Sequence, residues 1–184
     1  MKDDIRIEVS GEIDELNAHI GLLSTMVEDD AIEMLNEIQA RLLIVGASLS
    51  SAVVKGSWRV GKEVKGESCL SNVELARLEQ EIDRLQAAVP QLDTFVLPGG
   101  CTKSAQSHVC RTVCRRVERK LVALSRDVDV DALTMRFVNR LSDYFFSLAL
   151  YLNFIEGYDE KNSILLANNT KITIFAVETR GMRL

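Results

Sequence analysis

Arg111, Arg115 and Arg119 recur at every fourth position of the run Ser104–Arg119. At about 100° per residue they fall, together with His108 and Glu118, within one sector of roughly a third of a helix circumference. Like charges stacked at this spacing repel unless a carboxylate or a polyanion lies between them, and guanidinium forks match phosphate oxygens bidentately. The chemistry open to this sector is to bind and neutralise a phosphate-bearing ligand. A solvated helix face with Glu118 as intrahelical partner accounts for the same pattern, since exposed ion pairs carry little energy.

Immediately upstream lies Thr94-Phe95-Val96-Leu97-Pro98-Gly99-Gly100, where glycines let the backbone approach a ligand. Phe95 reads either as ordinary core or as an apolar contact to that ligand. Further on, Asn139, Arg140 and Asp143 place amide, guanidinium and carboxylate groups on an otherwise apolar helix; they suit a base, a ribose or each other. Near the N-terminus, Glu12, Asp14 and Glu15 read most simply as acids favouring a helix N-terminus through its dipole. His108, Cys110 and Cys114 are metal-ligating types, but His108 points about 160° away from Cys110 on the helical wheel. They cannot share an ion, so no metal site is assigned and the cysteines read as buried thiols.

Five apolar stripes at alternating three and four spacings supply the helices that carry these groups. They run Ile13, Leu16, Ile20, Leu23, Val27; Leu35, Ile38, Leu42, Val45, Leu49, Ala52; Leu75, Leu78, Ile82, Leu85, Val89; Cys110, Val113, Val117, Leu121, Leu124; and Val138, Leu141, Phe145, Leu148, Leu152, Ile155. Ser71 with Glu74 three residues on predicts a capping box at the start of the third, and Pro90 ends it. Residues 55–67 interleave Gly56, Gly61 and Gly66 with lysines and Trp58, the composition of an excursion. After Gly157 the helical period fades, and the tail from 163 to 184 is unassigned. A single all-α domain over 1–184, a compact up-and-down bundle of four or five helices, is expected.

Composition narrows the classes. The chain of 184 residues carries a formal net charge of −5, which argues against a general nucleic-acid binder, so any anionic ligand must meet a local cationic patch. No apolar run reaches the roughly 18 residues needed to span a bilayer. Four cysteines without a signal-peptide pattern point to reduced thiols and a cytoplasmic location.

Three blocks carry a family resemblance: Gly11-Glu12-Ile13-Asp14-Glu15-Leu16-Asn17-Ala18-His19-Ile20-Gly21, Phe95 to Gly100 with Arg111 to Arg119, and Val138 to Phe146 with Leu152-Asn153. In order and spacing, over roughly Lys2 to Asn153, the chain resembles the corrinoid adenosyltransferases of the propanediol-utilisation and human methylmalonic aciduria type. The resemblance implies a five-helix subunit in a homotrimer, with ATP, Mg2+ and cobalamin held at subunit interfaces and a reductase as a further candidate partner. It implies that Lys2, Arg115, Glu118, Arg119 and Asn139 line the ATP site, and that Arg111 pairs with Asp14 across the interface. It also implies that Phe95 covers the lower face of the corrin so that cobalt becomes four-coordinate, with Phe146 adding to that apolar wall. Members of the family begin with a Thr- and Gly-rich segment of the Lys-Thr-Gly-Asp type that wraps the triphosphate, whereas this chain starts at Met1-Lys2-Asp3-Asp4. The alternative expectation is accordingly a non-catalytic relative that delivers or senses corrinoid or ATP. Gln106 and Ser107 stand where more apolar residues are expected.

Overall fold

The computed structural model describes residues 4–51, 70–91 and 96–158. Lys2, Phe95, the excursion at 55–67 and the tail from 163 lie outside the described residues. Five helices account for about four-fifths of the described residues: α1 Ile5–Ser24, α2 Asp29–Ser51, α3 Asn72–Ala87, α4 Thr102–Leu124 and α5 Ala132–Ile155. Among the described residues there is no strand. Helix starts follow local chemistry. Asp4 caps α1 by accepting from the Arg6 N–H at 2.9 Å, and Asp131 caps α5 by accepting from the Thr134 N–H at 3.2 Å. The predicted capping box at Ser71 forms, with the Ser71 N–H donating to Glu74 Oε2 at 2.8 Å.

Side-chain pairs between helices give the directions. Asn17 and Gln39 join α1 to α2 through reciprocal amide–carbonyl bonds. Glu8 and Glu12 of α1 meet Lys120 and Arg116 of α4, and Cys114 and Ser107 of α4 donate to the carbonyls of Val138 and Phe145 on α5. Each of these pairs runs antiparallel. α3 and α5 run parallel, tied by Arg140 to Glu79 and by Gln86 to Ser147. Around the bundle the order is therefore α2, α1, α4, α5, α3, closed by the Arg77 and Arg41 ion pairs between α3 and α2. Alternating up and down along the chain, the helices bury α4 and α5 most deeply.

The apolar stripes read from sequence form the core, including Ile13, Leu16 and Ile20 of α1, Leu121 of α4 and Phe145 of α5, each at most 1 % exposed. Burial of side chains of this size stabilises by about 1.5–3 kcal/mol each. Ala52 lies outside the described residues, Val89 is only half-buried, and Ile155 departs from its stripe at 51 % exposure. Cys101, just ahead of α4, meets the Leu152 carbonyl, so the last turn of α5 lies at the start of α4, where Ile155 faces an open cleft with Val27, Ala31 and Tyr151. The acids of α1 also differ from expectation. α1 begins at Ile5, which puts Glu12 and Glu15 beyond the first turn, where the dipole effect has faded; both pair with Arg116 instead.

Candidate functional site

α4 delivers its charged residues to two sides of the bundle. Arg116 leans onto α1 and is held by Glu12 and Glu15, while Arg115 and Arg119 are exposed, and among the described residues no carboxylate pairs with either. Between them Glu118 is fixed from α5, with Asn139 Nδ2 donating to Glu118 Oε1 at 2.8 Å. Two residues singled out from sequence on different helices are thus brought into direct contact. Arg140 and Asp143, by contrast, satisfy each other at 2.8 Å, and Arg140 also reaches Glu79 on α3.

One turn before Arg115, Arg111 is half-buried and its guanidinium lies 5.9 Å from the ring centroid of Phe146 on α5. Burial, and then the charge of Arg115, lower the Arg111 pKa, although a guanidinium remains charged. Among the described residues its Nε has no hydrogen-bond partner and no ion pair joins it to Asp14, which is exposed on α1. His108 was expected among the charged groups of this sector. It is instead 3 % exposed, its ring tilted against Phe146 with centroids 6.2 Å apart. Burial, and then Arg111, pull its pKa down to about 4, so it is a neutral ring beneath the site. The wheel position of His108 was legible; that α5 covers it was not.

Phe146 is 37 % exposed and stands between two clefts. One, of about 360 Å³, includes Glu79, Gln86, Arg140 and Asp143. The other, of about 530 Å³ and more apolar, includes Val89, Pro90, Val96 and Leu150. Among the described residues no group of three His, Cys, Asp or Glu could hold a metal ion. The cysteines of α4 are buried, with the Cys110 thiol pushed up to about 12 by burial, which suits inert packing. Gln106 and Ser107, the two departures from expected apolarity, make helix–helix bonds: Gln106 donates to the His19 carbonyl at 3.0 Å and Ser107 to the Phe145 carbonyl at 2.8 Å.

A family model described as cobalamin adenosyltransferase matches residues 1–152. The chain belongs to the cobalamin adenosyltransferase family. It is 39% identical over 154 residues to a cobalamin adenosyltransferase of Cupriavidus metallidurans, covering 83% of this chain and 77% of that protein. To the human corrinoid adenosyltransferase MMAB it is 37% identical over 163 residues, 87% of this chain and 64% of the human one. Among solved structures, a variant of the PduO-type ATP:corrinoid adenosyltransferase from Lactobacillus reuteri, complexed with cobalamin and ATP, superposes with a TM-score of 0.73 at 33% identity, covering 87% of this chain and 86% of that one. Within this cobalamin adenosyltransferase fold, sequence alone had marked the faces of α4 and α5 that carry Arg115, Glu118, Asn139 and Phe146. It had given no role to Asn153, which is 2 % exposed and bonds to the backbone of the glycine turn before α4. The available signal was its position seven residues after Phe146 and fourteen after Asn139, on one face of α5.

Proposed function

We propose that this chain transfers the 5′-deoxyadenosyl group of ATP to the cobalt of reduced cobalamin, giving adenosylcobalamin and triphosphate. The observation that carries the reading is the exposed pair Arg115 and Arg119, without a carboxylate partner among the described residues, flanking the Glu118–Asn139 contact. A triphosphate supplies the charge this row lacks. The bond from Asn139 leaves Glu118 Oε2 and Asn139 Oδ1 as acceptors for ribose hydroxyls. Magnesium enters as part of the substrate, bound mainly by phosphate oxygens, which is its usual mode.

The chemistry asks the protein to position, desolvate and neutralise. Cob(I)alamin attacks C5′ as the nucleophile, the C5′–O bond breaks, and triphosphate leaves with the electron pair. No side-chain base is required. Arg115, Arg119 and Lys2 offset charge on the leaving group, and the Phe146 cleft excludes water from the corrin, with Phe95 assigned to its lower face.

The homotrimer rests on α1. Ile7, Gly11, Asp14, Ala18 and Leu22 form one exposed stripe, with Ile7 and Leu22 at 53 % and 48 % exposure. A carboxylate set among small and apolar residues suits a subunit contact, and a neighbour's Asp14 would reach Arg111, whose Nε has no partner among the described residues. Sedimentation analysis tests this, since a monomer at micromolar concentration refutes it. A cytoplasmic setting fits the buried, unpaired Cys101, Cys110 and Cys114, and a reductase supplying Co(I) would complete the cycle.

The deciding experiment is an anaerobic assay of reduced cobalamin with Mg-ATP, followed by the spectral change of Co–C bond formation. Transfer predicts stoichiometric triphosphate and adenosylcobalamin. A delivery or sensing relative would bind both ligands and form neither product, and that outcome overturns the proposal.

A further inference from the structure

The Asn153 side chain joins two segments that the proposed chemistry needs in register. Its carboxamide oxygen accepts from the Cys101 N–H at 2.9 Å, and its Nδ2 donates to the Gly99 carbonyl at 3.1 Å. The residue between them, Gly100, has φ +91°, a left-handed conformation that disfavours other residues. A Cβ built on Gly100 would lie 2.2 Å from Asn153 Oδ1. The carboxamide thus occupies the space a side chain would take, and reads both flanks of the turn. On one flank Cys101 caps α4, its sulfur accepting from the Ser104 N–H at 3.4 Å, so the clamp anchors the helix that carries the arginines. On the other flank the chain leads back to Val96, which lines the apolar cleft with Phe146, Ser147 and Leu150. Phe146, Leu150 and Asn153 share a face of α5 at spacings of four and three. One helix face therefore supplies both the floor of the cleft and the bond that holds its far wall.

We propose that Asn153 is a positioning residue for corrinoid binding: by clamping Gly99, Gly100 and Cys101 it sets the distance between Val96 and Phe146, and so the width of the cleft. This rests on the reading that the corrinoid lies in the Phe146 cleft. The clamp must accept at one atom and donate at the other, which a carboxamide does and an ionised carboxylate does not. The substitution Asn153→Asp keeps the acceptor toward Cys101 but sets an oxygen against the Gly99 carbonyl. A displaced wall loses corrinoid contacts while leaving Arg115, Glu118, Arg119 and Asn139 in place, some four turns along α4 and α5.

The test is steady-state adenosylation by the full chain carrying Asn153→Asp, with the corrinoid and ATP varied separately, beside Phe146→Ala and the wild type. Asn153→Asp is expected to raise the cobalamin KM about tenfold, the effect of losing one part-buried hydrogen bond, with the ATP KM unchanged. If it fails to fold, Asn153→Ser, smaller and uncharged, is read in the same way. The proposal is overturned if cobalamin and ATP KM rise together in step with a lowered Tm, the signature of a structural role alone. It is overturned with the cleft reading intact if Phe146→Ala raises the cobalamin KM and the Asn153 variant does not. If neither variant changes the cobalamin KM, the cleft reading falls and the clamp proposal with it.

Discussion

Replacing Arg115 or its neighbour Arg116 by alanine removes the same charge one residue apart, yet the two losses should be felt in different measurements. Arg115 is exposed and has no carboxylate partner among the described residues, so Arg115→Ala costs the fold within about 0.5 kcal/mol. As a phosphate ligand it should contribute about 1.5–3 kcal/mol, the range for hydrogen bonds to charged groups. At 1.4 kcal/mol per tenfold, the Kd for Mg-ATP should rise roughly 10- to 150-fold. Arg116 is held by Glu12 and Glu15 with its side chain 39% exposed. Exposed ion pairs contribute about 0.2–1 kcal/mol each, so Arg116→Ala should cost about 1 kcal/mol, a fall in Tm of about 2–4 °C, and leave nucleotide affinity alone. Calorimetric titration with Mg-ATP and thermal unfolding of both variants decide the matter. Should Arg116→Ala weaken ATP binding as much as Arg115→Ala, the division of this helix into a ligand side and an α1 side is wrong.

Glu118→Ala and Asn139→Ala should be non-additive in ATP affinity, because the 2.8 Å bond between them makes them one unit, with coupling of about 0.5–3 kcal/mol; simple additivity would remove the pairing from the site. On the proposed homotrimer, Arg111→Ala and Asp14→Ala should each lose turnover when assembled alone and regain part of it when the two are co-assembled, since the proposed interface would then unite an intact Arg111 with an intact Asp14; no recovery in verified mixed assemblies would place the two in separate roles. His108 has its folded pKa lowered to about 4 from 6.5. The unfolded chain therefore binds the extra proton between those values, and stability complete above about pH 6.5 is lost as pH falls toward 4. Tm measured across that window should fall less steeply in His108→Gln, and identical slopes would contradict a buried neutral ring.

The helical period by itself determined the five helices and most of the core, because a stripe such as Leu35, Ile38, Leu42, Val45 and Leu49 can be buried only on one side of a helix. The capping box at Ser71 was equally local, since its donor and acceptor lie three residues apart. So was the division of α4 into a charged and an apolar side, which follows from angle alone. What the neighbours of each face would be was not local. Tertiary packing brought Asn139 of α5 onto Glu118, gave Arg116 rather than the helix dipole to Glu12 and Glu15, and laid α5 over His108 so that a residue expected among charges became neutral. Left-handed Gly100 shows the same limit most sharply. Its sequence announced a turn, but the space a side chain would take is filled by Asn153, brought against the turn from the far end of another helix.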